Sequence, residues 1–288
     1  MAPKKIALVT DSCADLSREL IEENDIHVIP LRISCVDGEF SDGADISAAD
    51  IYPRLHAGEL PKTSLPTGED MERVLRRLVE EGYDGAIAIM FSSGLSGTYN
   101  LMRLCAEDVK DVLDVRVYDS KSGSLGQGMT VLQLAENIRS GMSWEELTER
   151  RVPDLLGRVY PFFSVDTLEY LKKGGRIGKV TAAAGTLLKI KPILTFAPDG
   201  QLQSAAKVRG RGQVIDKLVE LVKTACGEHK RYNLAVANGG DPEGMALVRE
   251  KLTAALPDYE LVREGEIDAT LSVYIGDGVL GAAVQVLD

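Results

Sequence analysis

The chain has 288 residues, 44% of them apolar and 27% charged, and 33 Lys and Arg against 44 Asp and Glu leave a net charge of −11. These proportions exclude a disordered or collagen-like chain, and at about 150 residues per domain the length predicts two domains. An acidic surface repels phosphate backbones and anionic headgroups, and no apolar run reaches the roughly 18–20 residues of a membrane span, so neither nucleic-acid binding nor stable membrane insertion is expected. Two lysines, Lys4 and Lys5, precede an apolar stretch that stops at Asp11, too soon for a signal core. The stretch reads as a first strand over 5–10, and the protein as cytoplasmic. Further short Val- and Ile-rich strands follow at 26–33, 85–91 and 115–118. Between them Met71, Val74, Leu75, Leu78 and Val79 form one helical stripe, and a second helix begins near Ser96 and runs through Leu101 and Leu104.

After a helical segment at 144–156 the pattern changes. A strand at 159–165 is followed by a hairpin, 191–196 and 201–208, around Pro198-Asp199-Gly200. A helix carries Val214, Leu218, Leu221 and Val222 on one face. Strands at 233–237, 260–263, 271–273 and 282–287 and a helix at 244–255 complete the chain. The alternation in the first half predicts a mainly parallel α/β/α sandwich over 1–152. The hairpins in the second predict an α+β domain with a mixed or antiparallel sheet over 153–288. Cys13, Cys35, Cys105 and Cys226 form no CxxC, and His27, His56 and His229 form no HxxxH pair. Neither a disulfide framework nor a metal site is expected, and no cofactor.

Four hydroxyl-rich segments stand where strands end, which is where open α/β sheets bind ligands. They are Thr10-Asp11-Ser12, Thr63-Ser64-Leu65-Pro66-Thr67, the run from Ser92 to Thr98, and Asp119-Ser120-Lys121-Ser122-Gly123. Singly each reads as a helix cap or turn. Together their hydroxyls and free helix N–H groups suit a carboxylate or phosphate in one crevice. No catalytic set accompanies them. Thr98 stands where a nucleophile elbow needs glycine, and Val180 where a phosphate loop needs Ser or Thr.

In order along the chain, these blocks resemble the DegV family. The likeness continues in the run from Leu168 to Ile177 (with Gly174-Gly175-Arg176), in Leu188-Lys189-Ile190-Lys191-Pro192-Ile193, and in Lys207-Val208-Arg209-Gly210-Arg211. The resemblance implies a two-domain, non-catalytic carrier that holds a long-chain fatty acid in a tunnel between the domains. It also implies a partner, a separate ATP-dependent fatty acid kinase, to which the carboxylate is presented for acyl-phosphate formation, with transient membrane contact allowed. By motif, Thr63 and Ser96 would hydrogen-bond the carboxylate, with Ser64, Ser93 and Gly97 beside them. Arg209 would lie near the carboxylate, and Arg176 near the kinase-facing mouth. The family's C-terminal His-Thr-Gly is here Tyr274-Ile275-Gly276. A tyrosine donates one hydrogen bond but cannot serve as an imidazolium. Asp277 nearby would repel a carboxylate unless it faces solvent.

The tunnel lining is not legible, since Leu187, Leu188 and Ile190 suit plain core equally well. An alternative from a different class is a phosphotransferase or hydrolase acting on a small anionic metabolite. Ser96 or Ser12 would be its nucleophile, with Asp11 or Asp119 as base or metal ligand. None of the three histidines is set by a motif to activate the serine.

Overall fold

The computed structural model describes residues 4–180 and 190–288. The first half carries strands β1 (Ile6–Asp11), β2 (Ile26–Ile29), β3 (Arg32–Cys35), β4 (Gly38–Ser41), β5 (Lys62–Ser64), β6 (Gly85–Met90) and β7 (Asp114–Asp119). Four of them form an all-parallel sheet in the order β2-β1-β6-β7. Every residue of β6 is buried because both sheet faces are covered. Ala86, Ala88 and Met90 pack against Met71, Leu75 and Leu78 of the helix Gly68–Glu80. On the opposite face Ile87 and Ile89 meet Val131 and Leu134 of the helix Leu125–Arg139. Helices on both faces make the expected sandwich.

The second half carries β8 (Val159–Ser164), β9 (Ile190–Phe196), β10 (Leu202–Arg209), β11 (Tyr232–Gly239), β12 (Leu261–Glu266) and β13 (Val279–Val286). Their order is β10-β9-β8-β13-β11-β12, with β11–β12 parallel and the other pairs antiparallel, so the sheet is mixed. Successive side chains alternate between its faces. Leu234, Val236 and Val284 point to the helices Arg211–Cys226 and Pro242–Ala255. Ala235, Ala237 and Ala283 point the other way, toward Leu125 and Met129 of the helix Leu125–Arg139.

That helix lies between the two sheets and went unpredicted. It is buried continuously from Leu125 to Ala135, so it has no polar face to give a 3.6-residue period. Its glycines permit close packing: a Cβ on Gly128 would stand 2.4 Å from the Ala14 carbonyl oxygen.

Other expectations need correction. The strand predicted over 26–33 is two strands in different sheets, because Pro30 has no N–H for a ladder. The second piece, β3, pairs with β4 and β5 in a small antiparallel sheet that the sequence pattern did not reveal. The strand predicted at 271–273 is instead the middle of the helix Ala269–Ile275, capped by the Asp268 side chain. Leu271-Ser272-Val273 alternates as a strand would, but three residues are too few for the period to separate strand from helix. The helix expected from Ser96 begins at Thr98. Leu187 and Leu188 lie outside the described residues.

Candidate functional site

A cavity of about 290 Å³ lies between the mixed sheet, the start of the helix Leu125–Arg139 and the helix Ala269–Ile275. Its floor comes from β11 and β13, where Ala235 faces Ala283 and Ala237 faces Gly281 across the ladder. Methyl groups and hydrogen there, instead of the Leu and Val of the opposite face, leave the space open. Phe163, Phe196, Leu125 and Leu271 complete the apolar walls.

Polar groups gather where three loops meet. Thr63, the middle residue of β5, and Tyr274, on the helix Ala269–Ile275, share a hydrogen bond of 2.6 Å between their hydroxyls. The Arg176 guanidinium stands 5.2 Å from the centre of the Tyr274 ring. It donates to the carbonyls of Gly174 at 2.8 Å and Leu95 at 3.4 Å. Leu95 leads to Ser96, whose hydroxyl lies 2.8 Å from that of Thr98 at the start of the helix Thr98–Glu107. Gly97 and Leu65 close the ring, since a Cβ on Gly97 would sit 3.3 Å from Leu65 Cδ1. Gly174 is equally constrained, as its Cβ would fall 2.3 Å from Tyr274 Cε1. The outcome is an apolar chamber with hydroxyl donors and one guanidinium at a common edge, a set suited to an anionic head on an apolar tail.

Buried carboxylates anchor the Tyr274 helix. Asp42 accepts from Ala269 N at 3.1 Å and from the Ser12 hydroxyl at 2.8 Å. Asp15 accepts from Asp268 N at 3.0 Å and from the Ser124 hydroxyl at 2.5 Å. Burial raises both carboxyls above the usual range. N-terminal strand ends thereby fix a C-terminal helix.

Thr63, Ser64, Ser96, Arg176 and Tyr274 all line the cavity, whereas Ser93, Gly97 and Arg209 do not. The Ser93 hydroxyl donates to Asp119 at 2.5 Å, and Asp119 also accepts from the amides of Ser93 and Lys121. Arg209 sits exposed at the end of β10, where its amide donates to Gln213. Asp277 is also outside the lining, with His56 at 3.2 Å. Ile190, at the start of β9, does not line it either.

The groups weighed for a nucleophile and base are otherwise engaged. Ser12 donates to Asp42, and Ser96 bonds to Thr98. Asp11 accepts from Phe91 N at 2.6 Å, from Gln127 and from Cys13 N, while burial raises its carboxyl to about 7. The floor residues Ala235, Ala237, Gly281 and Ala283 were missed in sequence. The signal was there in the alternation of large and small residues from Leu234 to Ala237, whose small members all fall on one face.

A model of the DegV family ("Uncharacterised protein, DegV family") matches residues 5–286. The chain belongs to the DegV family. A DegV domain-containing protein of Clostridium acetobutylicum, CA_C1624, is 36% identical over 281 residues, covering 98% of this chain and 99% of the relative. Among solved structures, one described as "Fatty Acid Binding of a DegV family Protein from Thermus thermophilus" superposes with a TM-score of 0.91 at 31% identity. It covers 98% of this chain and all of that one. A stearic acid-binding protein of Eubacterium ventriosum matches with a TM-score of 0.87 at 29% identity, covering 98% of both chains. The DegV fold accounts for the pairing of a parallel and a mixed sheet. Among the described residues, no helix is long and apolar enough to cross a membrane.

Proposed function

We propose that this chain is a non-catalytic cytoplasmic carrier that holds a long-chain fatty acid noncovalently and presents its carboxylate to a separate ATP-dependent fatty acid kinase. Residues 1–152 supply most of the head-group site, and residues 153–288 cover the acyl chain and contribute Tyr274. Ser96 and the hydroxyl pair of Thr63 and Tyr274 donate to the carboxylate, the pair through its one free proton, with Ser64 and Arg176 beside them. The observation that carries this reading is the hydroxyl pair of Thr63 and Tyr274 at the edge of an otherwise apolar chamber. The fatty-acid-binding relatives support it.

Tail burial dominates the energetics. Each methylene removed from water contributes about 0.8 kcal/mol, so a tail of about 16 carbons gains roughly 10 kcal/mol before association costs. A ligand held in this way survives purification. Native mass spectrometry followed by solvent extraction tests the reading, and a released fatty acid is the expected result. A protein that is empty and also refuses added fatty acids refutes it. For the kinase step, the loaded protein with a cognate kinase and ATP should yield acyl-phosphate. Loaded protein that yields none under those conditions refutes the partnership alone.

A further inference from the structure

The face of the mixed sheet that floors the cavity continues beyond it and changes character. On β11 the face reads Ala237, Ala235, Asn233, and on β13 Gly281, Ala283, Gln285. A second cavity of about 250 Å³ lies over the Asn233 and Gln285 end, beneath the same helix Leu125–Arg139. Its polar wall joins a belt of amides, nearest Met129, to the charged side chains of Glu136, Glu260 and Arg263. Asn233 Nδ2 donates to Gln285 Oε1 at 3.2 Å and to Gln133 Oε1 at 3.3 Å, and Gln133 Nε2 donates to Glu136 at 3.1 Å. With both carbonyls engaged, Gln285 Nε2 remains buried without a protein partner. An unpaired buried amide of this kind retains water.

Met129 stands between the two spaces. It lies one helical turn beyond Leu125, which lines the apolar cavity, and itself lines the polar one. It is 3% exposed and packs in one cluster with Leu125, Ala235 and Ala283.

We infer that Met129, backed by the amide belt of Asn233, Gln133 and Gln285, is the end stop of the acyl site and sets the longest chain that binds with full gain. This rests on the fatty-acid reading above and names a specificity-determining residue within it. A methylene added on the near side of Met129 leaves water for an apolar wall and tightens binding about fourfold. One pushed past Met129 meets hydrated amides and gains nothing. Methionine suits such a stop because it is unbranched and fills irregular space.

The test is a series of saturated fatty acids of increasing length titrated into wild type, Met129→Ala and Met129→Leu. Wild-type affinity should rise about fourfold per methylene and then level off. Met129→Ala vacates the positions of three heavy atoms and should move the plateau about three carbons longer. Met129→Leu keeps the volume and should retain the wild-type plateau, which also controls for folding. A plateau at the same length in wild type and in a folded Met129→Ala protein overturns the inference and leaves the carrier reading intact. Wild type that binds no fatty acid of any length overturns the carrier reading itself.

Discussion

Removing the hydroxyls of Thr63 and Tyr274 separates the work of the head group from that of the tail. Their oxygens are 2.6 Å apart, so one hydroxyl donates to the other and the pair keeps a single proton to offer a ligand. Tyr274→Phe frees Thr63 to donate that proton directly, and Thr63→Val does the converse. Each single variant therefore loses only part of the interaction. The double variant loses all of it. A hydrogen bond to a charged acceptor contributes about 1.5–3 kcal/mol, so the double variant should bind roughly 10- to 100-fold more weakly.

Against a gross tail contribution near 10 kcal/mol, that loss leaves binding measurable. Calorimetric titration with one fatty acid, at fixed pH and salt, reads all three variants. Tyr52→Phe is the control, since its phenol lies 3.2 Å from the Ser272 hydroxyl and does not line the cavity. It should leave affinity unchanged. A double variant as tight as wild type would show that the carboxylate sits elsewhere. Abolition of binding by Tyr274→Phe alone would refute the dominance of the tail.

Gly174→Ala should weaken fatty-acid binding without removing any polar group, because the new methyl displaces the Tyr274 ring that stands 2.3 Å from its position; titration alongside a thermal melt distinguishes this from unfolding. Ala283→Leu adds three carbons to the cavity floor, displaces about three methylenes of ligand and should cost about 50-fold in affinity, with little change in the ligand-free melting temperature. Stability should fall as pH rises from 4 toward 8. The folded state holds the Asp11 proton to about 7 against 3.8 for the free side chain, so this contribution is full below the lower value and lost through the upper. Denaturant titrations across that range should show the slope in wild type and a flatter profile in Asp11→Asn. An unchanged slope in that variant would assign the dependence to other groups.

Much of the architecture is written in local pattern. Strands alternating with amphipathic helices identify a parallel sheet, because Val- and Ile-rich runs buried on both faces and a stripe such as Met71–Leu75–Leu78 need only neighbours in the chain to be read. The hairpin around Gly200 and the ordered hydroxyl segments belong to the same class of signal, and the motif order alone pointed to the DegV family. Elements whose character depends on distant partners stayed hidden. The helix Leu125–Arg139 has no period because sheets cover it on both sides, and 271–273 is helical because Asp268, Asp15 and Asp42 hold the first turn of the helix Ala269–Ile275.

The candidate site divides along the same line. Thr63 and Ser96 were visible as hydroxyls in Ser- and Thr-rich segments ahead of helices, since residue type and local sequence suffice to mark them. That Thr63 meets Tyr274 across 211 positions of sequence, and that Ser93, Gly97 and Arg209 stay outside the lining, depends on how the two sheets pack. The cavity is decided in the same way. Ala235, Ala237, Gly281 and Ala283 become a floor only when β11 and β13 pair in register and the helix Leu125–Arg139 spans them. The sequence determines which side chains are small and which carry hydroxyls; tertiary structure alone decides which small side chains share one face, because a cavity is the space that several distant segments together fail to fill.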